Sequence, residues 1–300
     1  MFNQQVLLGT INLALPIVIL YLAYPPLLHT FIGQLAAALF LGAFIYYKQK
    51  QLALNQIAVL RYVPTGMHKE VLDALIRQCA IDPQTVQLRY AYNGEQIALA
   101  NASCIILDPL VWQGLLDDPQ AQEVQLVFEK YIEPTLTPLQ KQRIDALRQK
   151  LNPKAGNFIF RHELGHVVQR QTARKLIAIA ASVTVAAYIA IAVGMALVPI
   201  SGFLALAVAL PVGMVADHTT TFLRNYFWQQ KEEKAADAFA INHSTAEEIT
   251  EAAAFLKYQQ EVLDTHPEKS VIKFPPELIT GHPHGSKRYT YLMAAAQKKG

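Results

Sequence analysis

Two long stretches of this chain carry no charge at all: residues 1–47 and residues 176–216 contain no Asp, Glu, Lys or Arg. A helix of roughly 20 residues crosses a bilayer core about 30 Å thick, so each stretch has room for two passes. Each is also broken near its middle, at Tyr24-Pro25-Pro26 and at Val198-Pro199-Ile200-Ser201-Gly202, where proline cannot continue a helix and favours a turn. The expectation is two transmembrane helical hairpins in an integral membrane protein. The first has passes at 6–24 and 27–47. The last pass of the second, 203–216, is short, carries Pro211 and runs into Asp217-His218-Thr219. Those polar residues sit where the apolar run ends, so interfacial solvation accounts for them and they are not assigned as ligands.

Basic residues orient the hairpins. Lys48, Lys50 and Arg61 follow the first, Arg170, Arg174 and Lys175 precede the second, and Arg224, Lys231 and Lys234 follow it, while neither tip has any. Positive charge stays on the cytoplasmic side, so the tips face outward and the rest of this multi-pass chain faces the cytoplasm at the plasma or inner membrane. The opening Met1-Phe2-Asn3-Gln4-Gln5 lacks the basic start of a cleavable signal peptide. Cys79 and Cys104 are too few for a disulfide framework, which agrees with a reducing compartment. The net charge of +3 is explained by basic residues beside the membrane and implies no nucleic-acid partner.

Between the two hairpins lies His162-Glu163-Leu164-Gly165-His166. Residues four apart share one face of a helix, so both imidazoles can reach a single ion, while Glu163 can aim at water beside it as a general base. The flanking Asn157-Phe158-Ile159-Phe160 and Val167-Val168-Gln169 let a helix run through the site. A catalytic zinc takes three protein ligands and leaves a position open for water. Of the many candidates for the third, Glu233 is favoured because Asp237 lies one helical turn on, placed to accept the N–H of a ligating histidine. Glu232 has Ala236 at that spacing.

Elsewhere the period of the apolar residues sets the elements. Residues 67–80 read as a helix, with Val71, Leu72, Leu75 and Ile76 on one face. Residues 85–92 alternate as a strand, Asn93-Gly94 is a turn, and 97–107 is the partner strand, ending at Asp108-Pro109. That second strand is the candidate edge on which a peptide substrate would add as a further strand. Helices are expected over 123–131 and 138–151, the latter ended by Asn152-Pro153, and from Phe222 to Ile241. Ser244 with Glu247 reads as a capping box opening another helix to about Val262. The fold class expected is mainly α with a small β-sheet. Four segments follow: a hairpin over 1–50, a catalytic part with the HExxH helix over 51–175, a second hairpin over 176–222, and the remaining catalytic part over 223–300.

Three motifs in order, HELGH at 162–166, EKAAD at 233–237 and His282-Pro283 with Arg288, resemble the membrane zinc metallopeptidases that include HtpX-type and CAAX prenyl proteases. The resemblance implies a thermolysin-like zinc endopeptidase. His162, His166 and Glu233 would hold Zn2+, Glu163 would act as base, and Asp237 would support a histidine. It also implies that Asn101-Ala102 belongs to the substrate-aligning strand, although Ala100-Asn101-Ala102-Ser103-Cys104 departs from the family's N-A-x-A. Residues 117–157 are longer than usual in the family. His282 and Arg288 could serve an oxyanion, and Arg288 could equally pair with an active-site carboxylate. Polypeptides, chiefly membrane proteins, are the expected substrates, and the lipid bilayer is the other partner. Three rivals are a site-2-type intramembrane protease, a zinc-domain signalling sensor and a catalytically silent scaffold. The first is disfavoured by Arg161, Arg170 and Arg174 around the motif, the second by the lack of a recognisable sensor domain in this sequence, and the third by the presence of Glu163.

Overall fold

A computed structural model describes residues 30–58, 63–64, 66–90, 98–101, 103–108, 126, 130, 134, 136–197, 199–224, 230–264 and 285–300. The chain divides into two compact units, Met1–Leu52 with Arg174–Asn225, and Ala53–Ala173 with Tyr226–Gly300. Both are mainly helical.

The first unit is built on α1 (Phe31–Ala58), α5 (Gln171–Leu197) and α6 (Gly202–Arg224), the last with Pro211 inside it. Ala38 and Leu41 of α1 bury against Val183 and Ala187 of α5. Small residues set these contacts: a Cβ on Gly42 would stand 2.9 Å from the Ala180 carbonyl, and one on Gly213 would stand 3.0 Å from the Ala190 Cβ. Close backbone approach of this kind is how helices associate where dispersion rather than water expulsion drives packing. Among the described residues, α5 is the one helix long and apolar enough to cross a membrane, judged by length and composition. The expected pass at 6–24 and the tip at 24–26 lie outside the described residues. α6 runs past the expected end at Ala216, because the Thr219 and Thr220 hydroxyls bond back to the carbonyls of Val215 and Ala216 and the helix absorbs them.

The second unit holds the remaining elements: α2 (Gly66–Gln78), β1 (Gln87–Tyr90), β2 (Ala98–Asn101), β3 (Cys104–Leu107), α3 (Pro138–Lys150), α4 (Pro153–Val168), α7 (Gln230–His243), α8 (Ala246–Asp264) and α9 (Gly285–Lys299). The sheet order is β1-β3-β2. β1 pairs with β3 in parallel, Gln87 opposite Cys104, and β2 pairs with β3 antiparallel, Ala98 opposite Leu107. β1 and β2 are therefore not the expected hairpin partners, and β2 pairs instead with β3, where Asn101 faces Cys104; Asn93-Gly94 lies outside the described residues. The single strand expected over 97–107 is two strands, an edge one and a central one. Cys104, Ile105, Ile106 and Leu107 are all buried, and such an unbroken apolar run marks a strand covered on both faces.

Local signals at the helix starts hold, with one shift of register. Thr137 and Gln140 form a reciprocal capping box at α3. Asn152-Pro153 follows the end of α3 as expected and also opens α4, with Asn152 Oδ1 accepting from the Ala155 N–H at 2.9 Å. The capping box of α8 uses Thr245 and Glu248, one residue later than the expected Ser244 and Glu247: Glu248 accepts from the Thr245 N–H at 2.8 Å and donates its own N–H to Thr245 Oγ1 at 3.2 Å. The slip follows from burial, since Glu248 is tied to Arg161 inside the unit while Glu247 pairs with Lys154 at the surface. Of the helix expected over 123–131, Leu126 and Lys130 are helical and the rest lies outside the described residues.

α4 is the central helix. Phe160 and Leu164 enter one core with Leu72, Ile76, Leu88, Ile105 and Leu147, whereas Phe158 enters another with Ala240, Ile249, Ala253, Leu256 and Leu292. A helix wedged between two cores is held on both sides, and the side chains it projects are correspondingly fixed.

Candidate metal centre

α4 presents His162 and His166 one turn apart, with the Nε2 atoms 3.0 Å from each other and the rings at 86°. Opposite them, α7 brings Glu233, whose Oε2 is 3.4 Å from His162 Nε2 and whose Oε1 is 3.5 Å from His166 Nε2. One ligand atom from each of the three lies within 4.8 Å of the others. Gly165 permits this approach: a Cβ there would stand 3.1 Å from both the Ala236 Cα and the Phe239 Cβ. The glycine inside HELGH therefore lets α7 close on α4. Glu163 is half-buried on the same helix, near enough to act electrostatically on His166 and Arg288.

The back of each imidazole is held differently. His162 Nδ1 is 2.7 Å from Asp237 Oδ1. Asp237 is fully buried and also takes Arg288 in a two-pronged pair, Nη2 to Oδ1 at 2.5 Å and Nε to Oδ2 at 3.1 Å. His166 Nδ1 bonds to the Oε1 of Gln171, a residue sequence reasoning passed over although Gln169-Arg170-Gln171 is a polar break between two apolar runs. Burial opposes a charge on His162, but the Asp237 and Glu233 carboxylates outweigh it and push the imidazole up to about 10. Burial and the neighbouring His162 push His166 down. Asp237, despite its burial, is held below the usual carboxylate range by Arg288 and His162.

The donor set fits a metal ion. With both Nδ1 atoms bonded outward to oxygen, two Nε2 lone pairs and a carboxylate face one small volume. Acceptors facing acceptors repel unless a cation lies between them. Two imidazoles and one carboxylate suit a divalent transition ion.

The model of peptidase family M48 matches residues 143–294, a span that contains His162, Glu163, His166, Glu233, Asp237 and Arg288. The chain belongs to peptidase family M48. This makes it a peptidase of the metallo type, in agreement with the motif resemblance. No curated protein and no solved structure matches the chain.

The remaining expected site residues of this M48 peptidase fall in three places. Asn101 ends β2, one of the two edge strands of the described sheet, and β2 lies against α4. Ala102 and His282 lie outside the described residues. Arg288 sits at the centre, but its Nε and Nη2 are directed at Asp237, so the geometry favours the carboxylate-pairing role over a free oxyanion donor.

Proposed function

We propose that the chain is a multi-pass membrane zinc endopeptidase that cleaves membrane or membrane-associated polypeptides at the cytoplasmic face. His162, His166 and Glu233 hold Zn2+ and Glu163 is the general base. The observation that carries this reading is the convergence of a carboxylate from α7 on both imidazoles of α4, across some seventy residues of sequence. When bound, zinc supplies the Lewis acidity that makes water nucleophilic near neutral pH and polarises the scissile carbonyl. Glu163 accepts the proton of the attacking water and delivers it to the leaving amine. Asp237 and Arg288 orient His162. Residues Asn101 and Ala102 contribute the edge that aligns the substrate backbone, and His282 is the candidate hydrogen-bond donor to the oxyanion. The charge-free runs and the basic residues flanking them support the membrane topology and its orientation.

Metal analysis of the purified protein, run beside a casein or membrane-protein digestion assay, tests the assignment. Wild type should carry zinc and cleave. Glu163→Gln should keep the metal and lose about 10²- to 10⁴-fold in turnover, whereas His162→Ala and Glu233→Ala should lose the metal. Full peptidase activity in the Glu163→Gln protein would overturn the proposal.

A further inference from the structure

The turn that follows the HExxH helix bends the chain back toward the site. Gln169 N–H bonds to the Gly165 carbonyl at 3.1 Å, Arg170 N–H bonds to the Val167 carbonyl at 3.0 Å, and Arg170 itself adopts φ 52°. A non-glycine residue in the left-handed region costs free energy, on the order of 1 kcal/mol or more, and here it returns the buried side chain of Gln171, 5% exposed, to His166.

The amide of Gln171 can point only one way. Its Nε2 lies 3.0 Å from the Glu232 carbonyl oxygen and 2.8 Å from Gln169 Oε1. Gln169 is oriented in turn, because its Nε2 donates to the Ala235 carbonyl at 3.1 Å. Backbone carbonyls accept and never donate. The two carbonyls of α7 thus fix both amides, so that Gln171 presents Oε1, an acceptor, to His166 Nδ1. His166 must then carry its proton on Nδ1 and keep Nε2 as a lone pair.

We infer that Gln171, steered by Gln169 and the Glu232 and Ala235 carbonyls, is a positioning residue that sets the tautomer and ring orientation of His166 for metal binding. This rests on the metallopeptidase reading above. The carbonyls that steer the relay flank Glu233, so the element supplying one ligand also dictates the protonation of another. A neutral amide holds His166 where a carboxylate holds His162, leaving the two histidines as ligands of unequal basicity.

The test uses the full-length protein in detergent with 15N-labelled histidine, and the variants Gln171→Met and Gln171→Glu. Methionine removes both the acceptor and the donor. Glutamate restores the acceptor toward His166 but removes the amide donor toward Glu232. Two-bond proton–nitrogen correlation spectra of the metal-free protein should show His166 as the Nδ1–H form in wild type and Gln171→Glu, with Gln171→Met shifted toward Nε2–H. Chelator competition should show Zn2+ affinity lowered about 10- to 100-fold in Gln171→Met and held within a few-fold of wild type in Gln171→Glu. Equal loss in the two variants would assign Gln171 a merely structural tie to α7 and overturn the inference. So would an unchanged tautomer in Gln171→Met. A wild-type protein that takes up no Zn2+ would defeat the metallopeptidase reading instead, and the metal-free spectra would still decide whether Gln171 sets the tautomer.

Discussion

Arg161 and His162 are neighbours on α4, both buried, at 4% and 6% exposure, yet about 100° of helical rotation sends them into opposite kinds of polar network. On the Arg161 side both Nη donors meet acceptors. Nη1 reaches Glu248 at 2.8 Å and Ser244 Oγ at 3.2 Å, Nη2 reaches Gln78 Oε1 at 2.8 Å, and Glu248 also accepts from Asn157 Nδ2 at 3.0 Å. That network ties α4 to α2 and to the start of α8. On the His162 side the two Nε2 atoms and the Glu233 carboxylate converge on one small volume, an arrangement that suits a cation. A buried polar cluster with matched donors and acceptors anchors a fold, whereas one with surplus acceptors binds an ion.

The largest break in this contrast should come from Arg161→Ala, which leaves Glu248 buried without its cation and should cost about 3–5 kcal/mol. Denaturant melts would measure the loss. Zinc content per folded molecule should stay unchanged, and a metal-free but normally stable Arg161→Ala protein would show that the two networks are one. Asp237→Asn should do the converse, lowering zinc affinity about 10- to 100-fold in chelator competition with a smaller loss of stability than Arg161→Ala.

Gly165→Ala sharpens the geometric side of the comparison. The added methyl would stand 3.1 Å from the Ala236 Cα and the Phe239 Cβ, inside ordinary van der Waals contact, so overpacking of about 1–3 kcal/mol is expected, together with weaker zinc binding because Glu233 is pushed from the histidines. Retention of wild-type zinc affinity would mean that α7 does not need the close approach.

Glu248→Gln has an effect no larger than that of Gly165→Ala and a distinctive pH dependence. Burial raises the Glu248 carboxyl, but the Thr245 N–H, Asn157 and Arg161 together hold it below its usual range. A depressed folded pKa stabilises the fold above the unfolded value of about 4.3, and that stabilisation is lost as pH falls through the folded value. Glu248→Gln should therefore be less stable than wild type by about 1–3 kcal/mol at pH 7, with the gap closing below about pH 4. A gap constant from pH 7 to pH 3 would remove Glu248 as its source.

Much of the site was readable because helical spacing is local. His162 with His166 and Glu233 with Asp237 each lie four residues apart, and the structure brings the two pairs together. The strand order was not readable, because the Cys-Ile-Ile-Leu run signals burial without saying which neighbour pairs on either side. Gln171 was missed because nothing in its own neighbourhood distinguishes a polar turn residue from one aimed at an imidazole.

What the sequence by itself determined are the properties set within a turn or two of chain: the charge-free runs, the helix starts, and the HExxH pair on one helix face. Only the tertiary structure decided which acceptor sits behind each histidine, that Arg288 spends its fork on Asp237 fifty-one residues away, and that β3 lies between β1 and β2. Those outcomes depend on contacts between segments remote in sequence. They are selected by packing α4 between two cores and by matching buried donors to acceptors, and neither condition exists until the chain has closed on itself.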